Sequence, residues 1–211
     1  MRKWYPAVLV ALTFVASLVV YPRLPDRVPN HWNLHNQVNG YGPKWTVTFL
    51  FPLMLLALWG LMRFLPRIDP RRANYAKMQG TYDLVVNLSL TVLAVLHFVV
   101  LGAVMGAPVS VSRLIPAIIG VTMVILGNVL PRARPNWWFG IRTPWTLSND
   151  RVWERTHRIG GYVISTIGVL AILAAALNIA IASAAIGIVA AVLGIGLVAY
   201  SYFAWRQETS Q

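Results

Sequence analysis

Six apolar stretches, each long enough to cross a hydrocarbon layer, constrain this chain more than any other feature of its sequence. They lie near Trp4–Tyr21, Trp45–Met62, Leu84–Met105, Leu114–Leu130, Tyr162–Ile181 and Ala184–Trp205. A bilayer core about 30 Å thick takes about 20 residues of helix, and a helix satisfies its own backbone where no water can. Charged residues make up only 11% of the 211-residue chain. A soluble domain carries roughly 25%, so most of this surface has to meet lipid. Aromatic residues at the ends of the stretches (Trp4, Tyr5, Tyr21, Trp45, Tyr162, Tyr202 and Trp205) fit the interfacial belt of spanning helices. The predicted fold is an all-α integral membrane protein, a bundle of six transmembrane helices. Arg2 and Lys3 precede the first stretch as they would in a signal peptide, but the apolar run is long and no small-x-small site follows. A retained anchor is expected.

The net charge of +12 would suggest nucleic acid in a soluble protein; here its placement matters more. One side of the bundle receives Arg2, Lys3, Arg63, Arg67, Arg71, Arg72, Lys77, Arg132, Arg134, Arg142, Arg151, Arg155, Arg158 and Arg206. The other receives Arg23, Arg27, Lys44 and Arg113, which completes the 18 Lys and Arg of the chain. The positive-inside rule therefore puts both termini and the long 131–161 segment in the cytoplasm, with loop 22–44 outside. Three regions follow. Residues 1–65 form a first helical hairpin with its outward loop, 66–83 a basic cytoplasmic connection, and 84–211 a four-helix region. The third and fourth spans are expected to pair across GAPVSVS, and the fifth and sixth to meet near Ser183. In the sixth span Gly187/Ala191 and Ala190/Gly194 repeat at a spacing that lets backbones approach, either within the chain, the reading preferred, or at a homodimer face. Cysteine is absent, which excludes disulfides and thiolate metal sites.

The outward loop reads YPRLPDRVPNHWNLHNQVNGYGPKW. Pro22, Pro25 and Pro29 fix φ and remove donors, so its first half is extended, while Asn39-Gly40 and Gly42-Pro43 signal turns. A compact, structured loop is expected, with Trp32 and Tyr41 at the membrane surface. His31 and His35 would share a face on a helix and could then bind zinc, but no third ligand lies near and Trp32 stands where a zincin glutamate would be. A histidine hydrogen-bonded within the loop is the simpler reading of His31.

Within the spans, Asp83 and Asn87 lie one turn apart at the entry of the third helix, and His97 sits near its middle. Ionisable groups at depth are functional candidates because burial is costly. With Asn128 and Asn178 they outline the polar path a small transporter or channel would need. A neutral histidine bridging two helices is the structural alternative. A membrane hydrolase would need an activated nucleophile or a metal, and neither is legible.

Between the fourth and fifth spans runs NWWFGIRTPWTLSNDRVWERTHRIGG, from Asn136 to Gly161. A connection needs only a few small polar residues. This one carries four arginines (Arg142, Arg151, Arg155, Arg158), two acids and four tryptophans. Thr143-Pro144 forces an extended dipeptide, and Ser148 or Asn149 can cap a helix with Asp150 in its first turn. That helix would be amphipathic, with Arg151, Arg155 and Arg158 in a stripe and Glu154 paired to Arg158. Its stripe suits anionic headgroups or an acidic partner. Gly160-Gly161 would let the chain turn into the fifth span, making the segment a folded cytoplasmic platform.

Two separated signatures, LPDRVPNHWN…NGYGPK and the run from Gly127 to Gly161, resemble those of the SdpI-type bacterial immunity proteins. In the first, Asn36 stands where glycine is usual, and Gln37 and Asn39 stand where acids are common. The resemblance implies a non-enzymatic, cofactor-free protein of the bacterial plasma membrane that protects the cell from a secreted, membrane-active peptide toxin. It further implies a possible second role, in which the toxin-engaged protein holds a cytosolic winged-helix repressor at the membrane. It makes Pro29, His31, Trp32, Gly40 and Tyr41 candidates for outward sensing. Asn128, Asn136, Gly140, Arg142, Thr143, Pro144, Trp145, Thr146, Trp153 and His157 become the cytoplasmic signature.

Overall fold

The computed structural model describes residues 4–210, without the side chains of 180–184; Arg2 and Lys3 lie outside the described residues. In chain order it comprises α1 (Tyr5–Val20), β1 (Arg27–Trp32), β2 (Val38–Pro43), α2 (Lys44–Ile68), α3 (Ala73–Lys77), α4 (Gln79–Val104), α5 (Val111–Val129), α6 (Pro144–Ser148), α7 (Asp150–Ala176) and α8 (Ala180–Thr209). The six long helices are each apolar and long enough to cross a membrane, so the six-span reading holds.

The spans form two groups of three. In the first, α1, α2 and α4 enclose a core of Val10, Leu55, Val86, Leu90 and Ala94, with Phe14, Leu58 and Trp59 packed against it. Toward the hairpin end a polar cluster replaces the apolar one: Thr13, Ser17, Thr48 and His97 are all fully buried. The Ser17 hydroxyl lies against the carbonyls of Thr13 and Thr48 and is 3.0 Å from His97 Nε2. This one serine bridges three helices.

The second group, α5, α7 and α8, is held differently. A Cβ built on Gly120 would lie 2.7 Å from the Gly168 carbonyl oxygen, and one on Gly168 would lie 2.6 Å from that of Gly120. Gly127 and Gly161 make the same reciprocal approach at 2.6 Å. The pairs sit seven residues apart on each antiparallel helix, so one face repeats and the backbones touch. The glycines singled out in the sixth span do not act this way. Among the described residues, a Cβ on Gly187 or Gly194 would meet nothing within 4 Å, so the expected close intrachain approach is not made at these glycines.

Three further expectations are corrected. Helix α7 runs unbroken through Gly160 and Gly161, whose missing side chains make room for Ile141 and for Gly127 rather than for a turn. Asp150–Gly161 is consequently the cytoplasmic extension of a span, not a separate surface helix. The fifth and sixth spans meet at Leu177–Ile179 instead of near Ser183. There Asn178 takes φ 57°, and the amides of Asn178 and Ile179 return to the carbonyls of Ala175 and Ala174. That is a left-handed helix stop, and it removes Asn178 from any path through the membrane. Lastly, Glu154 pairs with Arg134 at 3.5 Å, while Arg151 and Arg155 both reach Glu208 of α8, at 3.5 and 2.9 Å.

The chain's two ends are structurally distinct. The 69–78 connection and the 131–150 segment contact each other, with Arg71 bonded to Asp150 and to the Leu147 carbonyl, both at 2.7 Å, and Asn74 to Pro135 O at 2.8 Å. The hairpin β1–β2 lies at the opposite end, where Asn36 Oδ1 accepts from the Ser112 amide of α5. Arg113, on the hairpin side, donates to the last carbonyls of α7, Ala175 and Ala176. The bias of Lys and Arg assigns the first end to the cytoplasm.

Candidate functional site: an outward hairpin and a cytoplasmic platform

The outward loop is a two-stranded antiparallel hairpin, in register from Arg27↔Pro43 to Trp32↔Val38 with irregularities around His31. Prolines are tolerated because both strands are edges. Its base is anchored: Val28 is fully buried and joins Leu24 and Val47, with Val20, Val100 and Val104 against them. Lys44 closes the base, bonding the Leu24 carbonyl and Asp26, each at 3.2 Å, and lying over the Tyr21 ring. At the tip, Asn33 Oδ1 accepts from the amides of His35 and Gln37, and Asn36 takes φ 61°, a conformation asparagine tolerates. Gly40 and Gly42 leave room for the side chains of His31 and Asn30 across the ladder.

Of the sensing candidates, His31 and Tyr41 are exposed, while Pro29, Trp32 and Gly40 are half-buried. His31 bonds Asn39 through Nδ1 at 2.5 Å. His35 stands in the turn, not on a helical face with His31, and among the described residues no group of three or more metal-binding side chains gathers.

At the cytoplasmic end the signature residues converge. Asn136, fully buried, uses its whole amide: Oδ1 accepts from Trp138 and Phe139, and Nδ2 donates to the carbonyls of Arg134 and Phe139. Gly140 at φ 106° then turns the chain over His157, where any Cβ would strike the imidazole. His157 accepts from the Ile141 amide at Nε2 (3.0 Å) and faces the Trp153 carbonyl through Nδ1 (2.8 Å). The two bonds define a neutral ring protonated at Nδ1. Trp153 stacks on it at 3.9 Å and donates Nε1–H to Ala133 O. Thr143 caps α6 in a capping box with Thr146, and its hydroxyl lies 3.0 Å from Ser201 of α8. Pro144 occupies the first turn of α6, as an N-terminal proline can. Trp145 packs edge-on against Tyr202. Asn149 caps helix α7, its side chain accepting from the amides of Arg151 and Val152.

Arg142 is exposed and donates to Trp137 O at 2.6 Å, while Asn128 is exposed at the end of α5 and joins none of these bonds among the described residues.

Asp69, which the sequence reading passed over, is the strut of the platform. Its carboxylate is buried and accepts from the Arg71 amide, the Tyr75 hydroxyl (2.8 Å) and the Trp137 amide (2.9 Å). Burial, reinforced by the hydrogen bond to Asp69, holds the Tyr75 phenol well above its ordinary pKa, so it remains a donor at physiological pH. The one signal in sequence was an aspartate before Pro70 at a helix end, the pattern of a side chain bonding its own backbone two residues on.

The intramembrane candidates do not converge. Asp83 and Asn87 line a cavity of about 710 Å³ between α1, α2 and α4 at the cytoplasmic end. His97 belongs to the serine cluster of the hairpin half.

Fold and site together define a six-span membrane protein that carries an anchored hairpin at one face and a hydrogen-bonded platform at the other. Residues 132–202 match the SdpI/YfhL protein family, and residues 8–56 match a domain of unknown function, DUF1648. The chain is 28% identical over 168 residues to the Immunity protein SdpI of Bacillus subtilis (strain 168), covering 79% of this chain and 78% of that protein. No solved structure matches. The 8–56 match spans most of α1, the hairpin and the first half of α2; the 132–202 match spans the platform, α7 and most of α8.

Proposed function

We propose that this protein is an immunity protein of the bacterial plasma membrane, protecting its cell against a secreted, membrane-active peptide toxin. The observation that carries the reading is the similarity to Immunity protein SdpI, which extends over 79% of this chain. That relative is an immunity protein. The hairpin supports the reading as an outward surface: it is anchored at the base by Val28 and Lys44 and leaves His31, Leu34 and Tyr41 exposed. In the finer form of the proposal, an engaged hairpin is relayed to the platform, whose exposed Trp137 and Arg142 recruit a cytosolic winged-helix repressor.

Deleting the gene in its own organism tests the first part. The deletion strain should lose viability in spent medium of the parent and recover with a plasmid copy. Recovery should fail with His31→Ala combined with Tyr41→Ala at normal membrane abundance. A deletion strain as resistant as its parent would contradict immunity. The relay is tested at Arg142, whose planar fork lysine cannot reproduce. Arg142→Lys should impair recruitment of a DNA-binding protein to the membrane fraction nearly as much as Arg142→Ala. Recruitment at wild-type level in Arg142→Lys would remove the geometric role.

A further inference from the structure

A recess of about 450 Å³ opens beside the platform, lined by Lys77, Thr81, Arg132, Arg134, Glu154 and Arg158. Four cationic side chains face one carboxylate, and Glu154 is already engaged by Arg134 at 3.5 Å. Among the described residues, Lys77, Arg132 and Arg158 have no carboxylate within ion-pair distance. This sets them apart from Arg71, Arg151 and Arg155 nearby, each of which is paired. Like charges crowded without counter-charge repel each other, and the repulsion is relieved when an anion enters. Three separate elements bring them together: the end of α3, the Leu130–Arg132 turn that closes α5, and the second and third turns of α7.

Depth identifies the anion. Thr81 stands in the first turn of α4, and Arg132 ends the turn directly after α5. The recess therefore sits where two spans leave the hydrocarbon, at the level of lipid phosphates on the cytoplasmic side. Basic pockets between spans at this level suit anionic headgroups, and guanidinium forks match phosphate oxygens. We propose that this recess binds the phosphodiester headgroup of an anionic glycerophospholipid of the inner leaflet, clamped by Arg132, Arg158 and Lys77. An acidic protein segment would approach from the cytosol and has no need of a site at span-end depth.

The full chain, purified and placed in phosphatidylcholine nanodiscs doped with phosphatidylglycerol or cardiolipin, tests this by native mass spectrometry of retained lipid. Wild-type protein should retain anionic lipid in preference to phosphatidylcholine. Arg132→Gln with Arg158→Gln should lower that retention about tenfold or more, since each basic residue at a membrane surface is worth about one factor of several. Both positions are exposed, so thermal stability in pure phosphatidylcholine should be unchanged. Lys77→Gln alone supplies a milder second variant if the double one fails to fold, with a smaller drop expected. The control is Arg63→Gln with Arg67→Gln, which removes the same charge from the separate cavity between α1, α2 and α4 and should leave retention intact. Equal retention by wild type and the Arg132/Arg158 variant would overturn the proposal, as would an equal drop in the Arg63/Arg67 control. Tight binding of glycerol phosphate or inorganic phosphate without lipid retention would assign the recess to a soluble phosphate. A polyglutamate peptide bound by wild type and lost in the double variant, again without lipid retention, would assign it to an acidic protein.

Discussion

The two helix groups solve one problem by opposite means. Between α5 and α7 the contact is backbone against backbone, made by Gly120/Gly168 and Gly127/Gly161. Among α1, α2 and α4 the contact is side chain against side chain, with Leu55 and Leu90 fully buried at one level and Ser17, Thr48 and His97 at another. In lipid no hydrophobic drive pulls helices together, so association falls to close packing and interhelical hydrogen bonds. Close packing by glycine leaves no slack, whereas a polar cluster among side chains can readjust. The α5–α7 pair is thus the rigid spine that carries the platform, and α1–α2–α4 the more adaptable group that carries the hairpin. Asp69 joins them, since it belongs to the connection after α2 yet holds Trp137 of the platform.

The contrast predicts a ranking of damage, measurable as unfolding free energy in detergent or bilayer micelles. Gly127→Leu should be the worst, costing more than about 3 kcal/mol, because its side chain would meet not only the Ser165 hydroxyl but also the Gly161 carbonyl and the Ser165 amide nitrogen, backbone atoms that cannot rotate away. Asp69→Ala should come next, at about 2–3 kcal/mol, since it strands a buried hydroxyl and two part-buried amides. Protease cutting should then appear between 133 and 148 before the spans are lost. His97→Leu should cost about 1 kcal/mol, in line with interhelical hydrogen bonds in membranes. Any loss of protection should follow its abundance. A clean loss of function at normal abundance in both His97→Leu and Asp83→Asn would instead favour a transport path. At the bottom of the scale, Gly187→Leu should stay within about 0.5 kcal/mol because, among the described residues, a Cβ at Gly187 meets nothing within 4 Å. If Gly187→Leu proved as harmful as Gly127→Leu, the distinction between spine and lipid-facing glycines would collapse.

Hydropathy made the six spans legible, because it is written in long stretches of similar residues. The cap of α7 was legible, as Ser148 or Asn149, for a different reason: a short polar side chain before a helix has one main use. The structure selects Asn149, and the Thr143 cap of α6 was not foreseen. What stayed hidden depended on pairing across distance. Gly187 and Gly127 look alike in sequence, and only the neighbour across the interface tells them apart. Gly160-Gly161 read as a turn because glycine permits one, yet its lack of a side chain serves close approach instead. The hairpin was expected as an extended, compact loop, but its strand pairing depends on Gly40 and Gly42 yielding space to Asn30 and His31, a relation no local pattern contains. Within the candidate site, Asn136, Gly140, Thr143, Thr146, Trp153 and His157 do come together, whereas Asn128 stands apart and Asp69 enters unannounced.

Everything proposed for the two faces rests on their lying on opposite sides of the membrane. The chain has no cysteine, so single labels carry no background. His35→Cys at the hairpin tip and Ser148→Cys at the end of α6 are both exposed. In intact cells an impermeant maleimide should label position 35 fully and position 148 only after permeabilisation. Labelling of both positions without permeabilisation, or of neither, would place hairpin and platform on one side and contradict the account.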